Sequence, residues 1–169
     1  MRFLDKLYAA GAILAAVFMV IIALLTLSQV IGRVIGLLIP DAGDLAGYAM
    51  AAATFLALAH TFRSGGHIRV NLLLGRLSPG SRWLAELWCL GVFAVLGACF
   101  AGFAMKLVVD SYEFGDVSTG MMPFPLWIPQ LSMALGAILL EVAVIEELIR
   151  VARGHHPRYE NAEGEAFTE

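Results

Sequence analysis

Apolar residues in this chain form long unbroken stretches rather than one-sided stripes. Four of them run from about Leu7 to Ile39, Leu45 to Phe62, Leu84 to Val109 and Leu126 to Ile149. Each is long enough for an α-helix to cross the hydrocarbon of a bilayer, which takes about 20 residues. No water is available there to backbone polar groups, so a spanning segment satisfies them internally as a helix. The pattern predicts an all-α integral membrane protein with four transmembrane helices. The first stretch follows Arg2 and Lys6, as a secretory signal would, but the apolar core of a signal is only about 7–15 residues long. This stretch is much longer and lacks a convincing cleavage site, so it reads as a retained span.

The polar segments carry their own pattern. Ser64-Gly65-Gly66 breaks the second helix, and then Ile68, Val70, Leu72, Leu73, Leu74 and Leu77 mix with Arg69, Asn71 and Arg76. A helix here would place leucines on one side and arginines on the other, which predicts a short amphipathic interfacial helix between the second and third spans. Ser78-Pro79-Gly80 would end it, and an ordinary basic loop is the alternative. Ser111 to Pro125, with Gly115, Gly120, Pro123 and Pro125, is expected to be an irregular external loop packed back on the helices. Pro129 falls in the first turn of the fourth helix, where proline is tolerated. Trp83 and Trp127 suit the membrane–water interface. Residues 1–153 form one transmembrane domain in this reading. Residues 154–169, with Glu160, Glu163, Glu165 and Glu169, have no apolar period and are expected to be a disordered acidic cytoplasmic tail.

Composition strengthens the membrane reading. Hydrophobic residues make up 60% and charged residues 15% of the 169, with a mean hydropathy of +0.81. Soluble domains carry roughly 45–50% apolar and about 25% charged residues. The net charge of -3 and the lack of a basic stripe argue against a nucleic-acid partner. The charges are segregated. Arg2 and Lys6 precede the first span, Arg63, Arg69, Arg76 and Arg82 lie between the second and third, and Arg150, Arg153 and Arg158 follow the fourth. Only Arg33 and Lys106 of the 11 basic residues lie elsewhere, and the other two loops hold Asp41, Asp44, Asp110, Glu113 and Asp116. The positive-inside rule then places both termini and the arginine loop in the cytoplasm.

Polar residues inside a span are costly and each needs a reason. Arg33, near the outer end of the first span, reads either as an ion or anion site or as a structural arginine tied to Asp44 or a partner subunit. Glu141 lies about 21 Å along the fourth span from Trp127, and His60 about 24 Å along the second from Asp44. Their similar depth allows a contact of Glu141 with His60 or Arg63, either as a proton or cation site or as a polar pair that fixes helix packing. Lys106–Asp110 and Arg82–Glu86 are i,i+4 pairs at helix ends. Gly32-x-x-x-Gly36, Gly43-x-x-x-Gly47, Gly91, Gly97 and Gly102 permit close helix contact. Cys89 and Cys99 are ten residues apart, about 15 Å on a helix. That is too far for a disulfide, and they are expected to be small buried packing residues. No nucleotide-binding loop, catalytic triad or metal-ligand cluster is legible. His60 and His67 lie near the inner face and His155-His156 in the tail, a poor arrangement for axial haem ligation.

Arg63-Ser64-Gly65-Gly66-His67-Ile68-Arg69-Val70-Asn71-Leu72-Leu73 resembles the pattern R-x-G-x-H-I-R-V-D-L-L of the small membrane subunit of tripartite ATP-independent periplasmic (TRAP) transporters, the DctQ family. Pro125-Leu126-Trp127-Ile128-Pro129-Gln130-Leu131 before a helix with Gly136, and Arg33 near the end of the first span, match the same family. The resemblance covers about residues 5 to 150. Asn71 replaces the usual aspartate, the acidic pair entering the second span is reduced to Asp44, and Ala134 stands where proline often precedes Leu-Gly. The resemblance implies a non-enzymatic subunit without cofactor. It would join a large multispanning subunit that carries substrate and sodium, served by a periplasmic substrate-binding protein that delivers an organic acid. Arg33, Asp44, His60, Arg63, His67, Arg69, Asn71, Trp127 and Glu141 are then structural or partner-contact residues, and membrane lipids are the remaining partner. Two rival readings are a membrane anchor for a redox complex and a small self-assembling exporter. The exporter class relies on a carboxylate in its first helix, and no acid lies between Leu7 and Gln29.

Overall fold

The computed structural model describes residues 2–37, 39–64 and 79–155. The expected interfacial helix, with His67, Arg69 and Asn71, and nearly all of the acidic tail lie outside the described residues. Four helices account for most of the rest: α1 (Arg2–Val34), α2 (Ala42–Arg63), α3 (Pro79–Phe114) and α4 (Trp127–Ala152). All four are long and apolar enough to cross a membrane.

The helix ends differ from the ends of the apolar stretches for local reasons. α1 stops at Val34 although the apolar residues continue to Ile39. Gly36 takes the left-handed conformation at φ 74°, and the Leu37 N–H turns back to the Gly32 carbonyl at 2.7 Å. This is a glycine-closed helix terminus. α3 runs past its apolar stretch at both ends, starting on Pro79 and carrying Arg82, Asp110 and Glu113 in its outer turns. Its 36 residues span about 54 Å, well beyond the hydrocarbon. Ser111 to Phe114 therefore belong to α3, and the loop begins at Gly115, which is left-handed at φ 66°.

That loop is ordered rather than irregular. Ser118 N–H donates to Phe124 O at 2.8 Å and Leu126 N–H to Asp116 O at 3.0 Å, around a single antiparallel bridge between Val117 and Pro125. The Ser118 hydroxyl donates to Met122 O and accepts from Phe124 N–H, and Ser111 Oγ donates to Asp116. With few backbone groups left over, the hairpin holds its shape without a sheet beside it.

α2 and α4 form the central pair, with α1 packed along α2 and α3 along α4. α2 buries the largest share of its apolar stretch and α1 the smallest. The crossings use small residues. Ala49, Ala52, Ala53 and Ala59 of α2 and Ala134, Ala137 and Ala143 of α4 are buried. Gly136 lies directly on the Phe55 backbone, and a Cβ at Gly11 would sit 2.9 Å from the Leu56 carbonyl oxygen. Where lipid competes for apolar contact, such close backbone approach is what holds helices together. The two glycine pairs expected to do this do not: Gly36 lies outside the helix, and Gly36 and Gly47 both face open space, as do Gly91 and Gly102. Cys89 and Cys99 are exposed, not buried, because the buried face of α3 runs through Leu90, Ala101, Ala104 and Val108. Phe55–Phe100 and Phe62–Phe93 ring contacts reach from α2 to α3 across the bundle.

Candidate functional site

Three places hold the polar side chains. The first is the end of the bundle where both termini emerge. Arg63, in the last turn of α2, pairs with Asp5 of α1 at 2.5 Å and reaches Glu146 of α4 at 4.0 Å. Its guanidinium carbon lies 4.8 Å from the ring centroid of buried Tyr8, a cation–π stack. One arginine thus ties three helices. On the same end, Trp83 Nε1 donates to the Val151 carbonyl at 2.9 Å, tying the start of α3 to the end of α4. Arg82 and Glu86 form their i,i+4 pair at 3.2 Å, whereas no ion pair joins Lys106 to Asp110 among the described residues.

The second place is mid-bundle. Glu141, only 8% exposed, directs its carboxyl onto Gly97 of α3, so closely that a Cβ at Gly97 would collide with Oε2. Neither expected pairing of Glu141 forms. His60 is exposed on the outward face of α2, about 100° round the helix from buried Ala59, and Arg63 is engaged with Asp5 and Glu146 one turn nearer the terminus. Glu141 makes no hydrogen bond or ion pair among the described residues.

The third place is the opposite end. Asp41 sits in the left-handed conformation at φ 55° just before α2. Its carboxylate does not cap α2. It accepts the N–H groups of Met121 at 2.9 Å and Met122 at 2.5 Å, tying the α1–α2 turn to the tip of the α3–α4 hairpin. Gly120 lies against that carboxylate with no room for a Cβ. Trp127 stacks edge-on with Tyr112, ring centroids 5.8 Å apart, and Tyr48 stacks on Phe124. Arg33 and Asp44 are both exposed and no ion pair joins them, which corrects the expected pairing. α1 ends one residue after Arg33, and the guanidinium lines an open cleft with Gln29, Gly36, Leu37 and Ile39.

Sequence reasoning singled out Arg33, Asp44, His60, Arg63, Trp127 and Glu141, of which only Arg63 and Trp127 make a contact joining two helices through their side chains at an end of the bundle. It missed Asp5, Tyr8 and Glu146 around Arg63 and Asp41 at the hairpin, and it named Gly97 as a packing glycine without its contact to Glu141. Among the described residues no group of histidines, cysteines and carboxylates could hold a metal ion. Arg63, Trp83 and Asp41 join helices or loops, and Arg33 with Gln29 lines the cleft described above.

Four apolar spans joined by interhelical ties define a multi-pass membrane protein. The family model described as "Tripartite ATP-independent periplasmic transporters, DctQ component" matches residues 22–154. That is well over half of the chain, and the chain belongs to this family, a transporter component and not an enzyme. Neither the curated proteins nor the solved structures provide a match.

Proposed function

We propose that this chain is the small permease subunit of a sodium-coupled, binding-protein-dependent TRAP transporter for organic acids. It lies in the bacterial inner membrane with both termini and the arginine loop in the cytoplasm. There it widens and steadies the fixed part of the large transport subunit. The distribution of charge supports the orientation. The scaffold role rests on one observation: most buried side chains are alanine, aliphatic or aromatic, with Glu86, Ser111, Glu141 and Glu147 the buried polar ones among the described residues, while a broad apolar perimeter faces outward. Such a body suits lipid and neighbouring helices. Sodium and substrate sites then belong to the large subunit. The last residue of α3 and the hairpin at the Asp41 end expose Phe114, Met121 and Met122, a surface suited to a periplasmic substrate-binding protein.

The test is affinity purification in mild detergent after expression with the neighbouring genes. Intact-mass analysis should find a large multispanning chain in a stable one-to-one complex. Replacing Glu141 by alanine should lower complex yield before it alters which acid is taken up. A chain that purifies alone, or with a redox subunit and a haem absorbance, would overturn the reading.

A further inference from the structure

Arg33 is a cation with an unusual setting. Counted from Leu7, it stands 26 residues along α1, about 39 Å of rise. That exceeds the ~30 Å hydrocarbon, so the guanidinium reaches the level of lipid phosphates. It is exposed, and no acid lies within ion-pair distance among the described residues. The two nearest carboxylates in sequence are accounted for otherwise, since Asp41 holds the hairpin and Asp44 is unpaired to it. The cleft beside it has a volume of about 400 Å³. Gln29, one turn back on α1, adds an amide donor to the same cleft. Gly36 leaves the wall open, with nothing within 4 Å of where its Cβ would be. Around this polar spot the surface is apolar: Val30, Val34, Ile35 and Leu37 are all exposed.

A bare inorganic anion has no reason to enter such surroundings, whereas an amphiphile matches both parts. We propose that the Arg33 cleft binds the phosphate of a phospholipid headgroup, with the acyl chains lying along the apolar side of α1. The planar guanidinium forms paired charge-assisted hydrogen bonds to phosphate oxygens. On the Arg33 side of α1, exposed Met19 and Val30 lie within about 60° of it round the helix and provide about 16 Å of apolar surface for the chains.

The inference needs only a membrane-embedded chain, so it stands or falls separately from the transporter reading. The full chain is purified in detergent and titrated with phosphatidylglycerol, with diacylglycerol of the same acyl chains, and with inorganic phosphate, and retained molecules are counted by native mass spectrometry. One phosphatidylglycerol should be retained, diacylglycerol should bind weakly, and millimolar phosphate should not displace the lipid. Arg33→Gln should weaken phosphatidylglycerol binding about tenfold, Arg33→Lys should retain part of it, and Lys106→Gln should leave it unchanged. Equal binding by wild type and Arg33→Gln overturns the proposal, as does an equal loss in Lys106→Gln, which would mean general surface charge. If Arg33→Gln does not fold, the wild-type titrations decide: equal retention of diacylglycerol, or displacement by inorganic phosphate, overturns it. Loss of the lipid when the chain is in complex with a large subunit also overturns it, because a partner carboxylate would then hold Arg33.

Discussion

Replacing Gly136 by alanine adds one methyl group at the place where α4 lies on the Phe55 backbone of α2. The atoms in its way are a carbonyl carbon and oxygen and the Cβ of Phe55, none of which can swing aside. The helices must separate locally, and overpacking of this kind costs about 1–3 kcal/mol. Alanine also gains about 1 kcal/mol over glycine in a helix, so the substitution alone mixes two opposed effects. Gly102→Ala separates them, because its Cβ meets nothing within 4 Å and only the helix gain applies. The two variants should therefore differ by the crossing cost alone, about 1–3 kcal/mol, with Gly136→Ala the less stable. Reversible unfolding in mixed micelles, followed by tryptophan fluorescence, measures the difference. If Gly136→Ala is as stable as Gly102→Ala, close approach of α2 and α4 is not what holds the central pair.

Three further outcomes follow from single contacts. Gly97→Ala should destabilise the chain by about 1–3 kcal/mol by driving its Cβ into Glu141, and most of that cost should vanish in a Glu141→Ala background; a double-mutant cycle without coupling refutes the contact. Asp41→Ala should free the Met121 and Met122 amides, seen as faster hydrogen exchange at the hairpin tip and a loss of about 1–3 kcal/mol; unchanged protection there refutes the tie. Trp83→Phe keeps an aromatic side chain but removes the indole N–H that donates to Val151 and should cost at least about 0.5–1.5 kcal/mol, read from the same unfolding transition.

The four helices were legible because a bilayer demands length and apolarity, and both are written into the chain. The packing faces were less so. A helix in lipid is apolar on its outward side too, so the one-sided stripe that marks the core face of a soluble helix is weak. Cys89 and Cys99 were therefore expected inside and lie outside. The crossings were sought at spaced glycine pairs and at Gly91, Gly97 and Gly102, of which Gly97 alone makes one; Gly11 and Gly136 make others, each facing a particular carbonyl that no spacing rule reveals. Depth along the helices carries the pair that was missed. Arg63 lies nineteen residues from Asp44, and Glu146 nineteen from Trp127, so equal rise along two helices running the same way brings that pair to one level. Matching His60 to Glu141 instead took the right depth but ignored rotation, and His60 faces away. Asp41 was passed over because its role depends on a left-handed backbone and on a hairpin from eighty residues further on. The segment of strongest family likeness, 63–73, lies mostly outside the described residues, so the pairing expectations tied to His67, Arg69 and Asn71 rest on sequence.

The unequal burial of α1 and α2 sets an order for making the protein. α1 is the most apolar span and needs few neighbours, so on leaving the ribosome it can rest in lipid alone. α2 is the least apolar span and the most sheltered one, and its final neighbours are made one before it and one long after it. Until α4 emerges, half of the face that α2 will bury has only lipid or the insertion machinery against it. Insertion scales charge a marginal helix for each polar group held in that state. Slowing synthesis between Arg63 and Trp127 would lengthen that exposure and should raise the fraction of chains degraded before the fourth helix arrives, without any change in the finished fold.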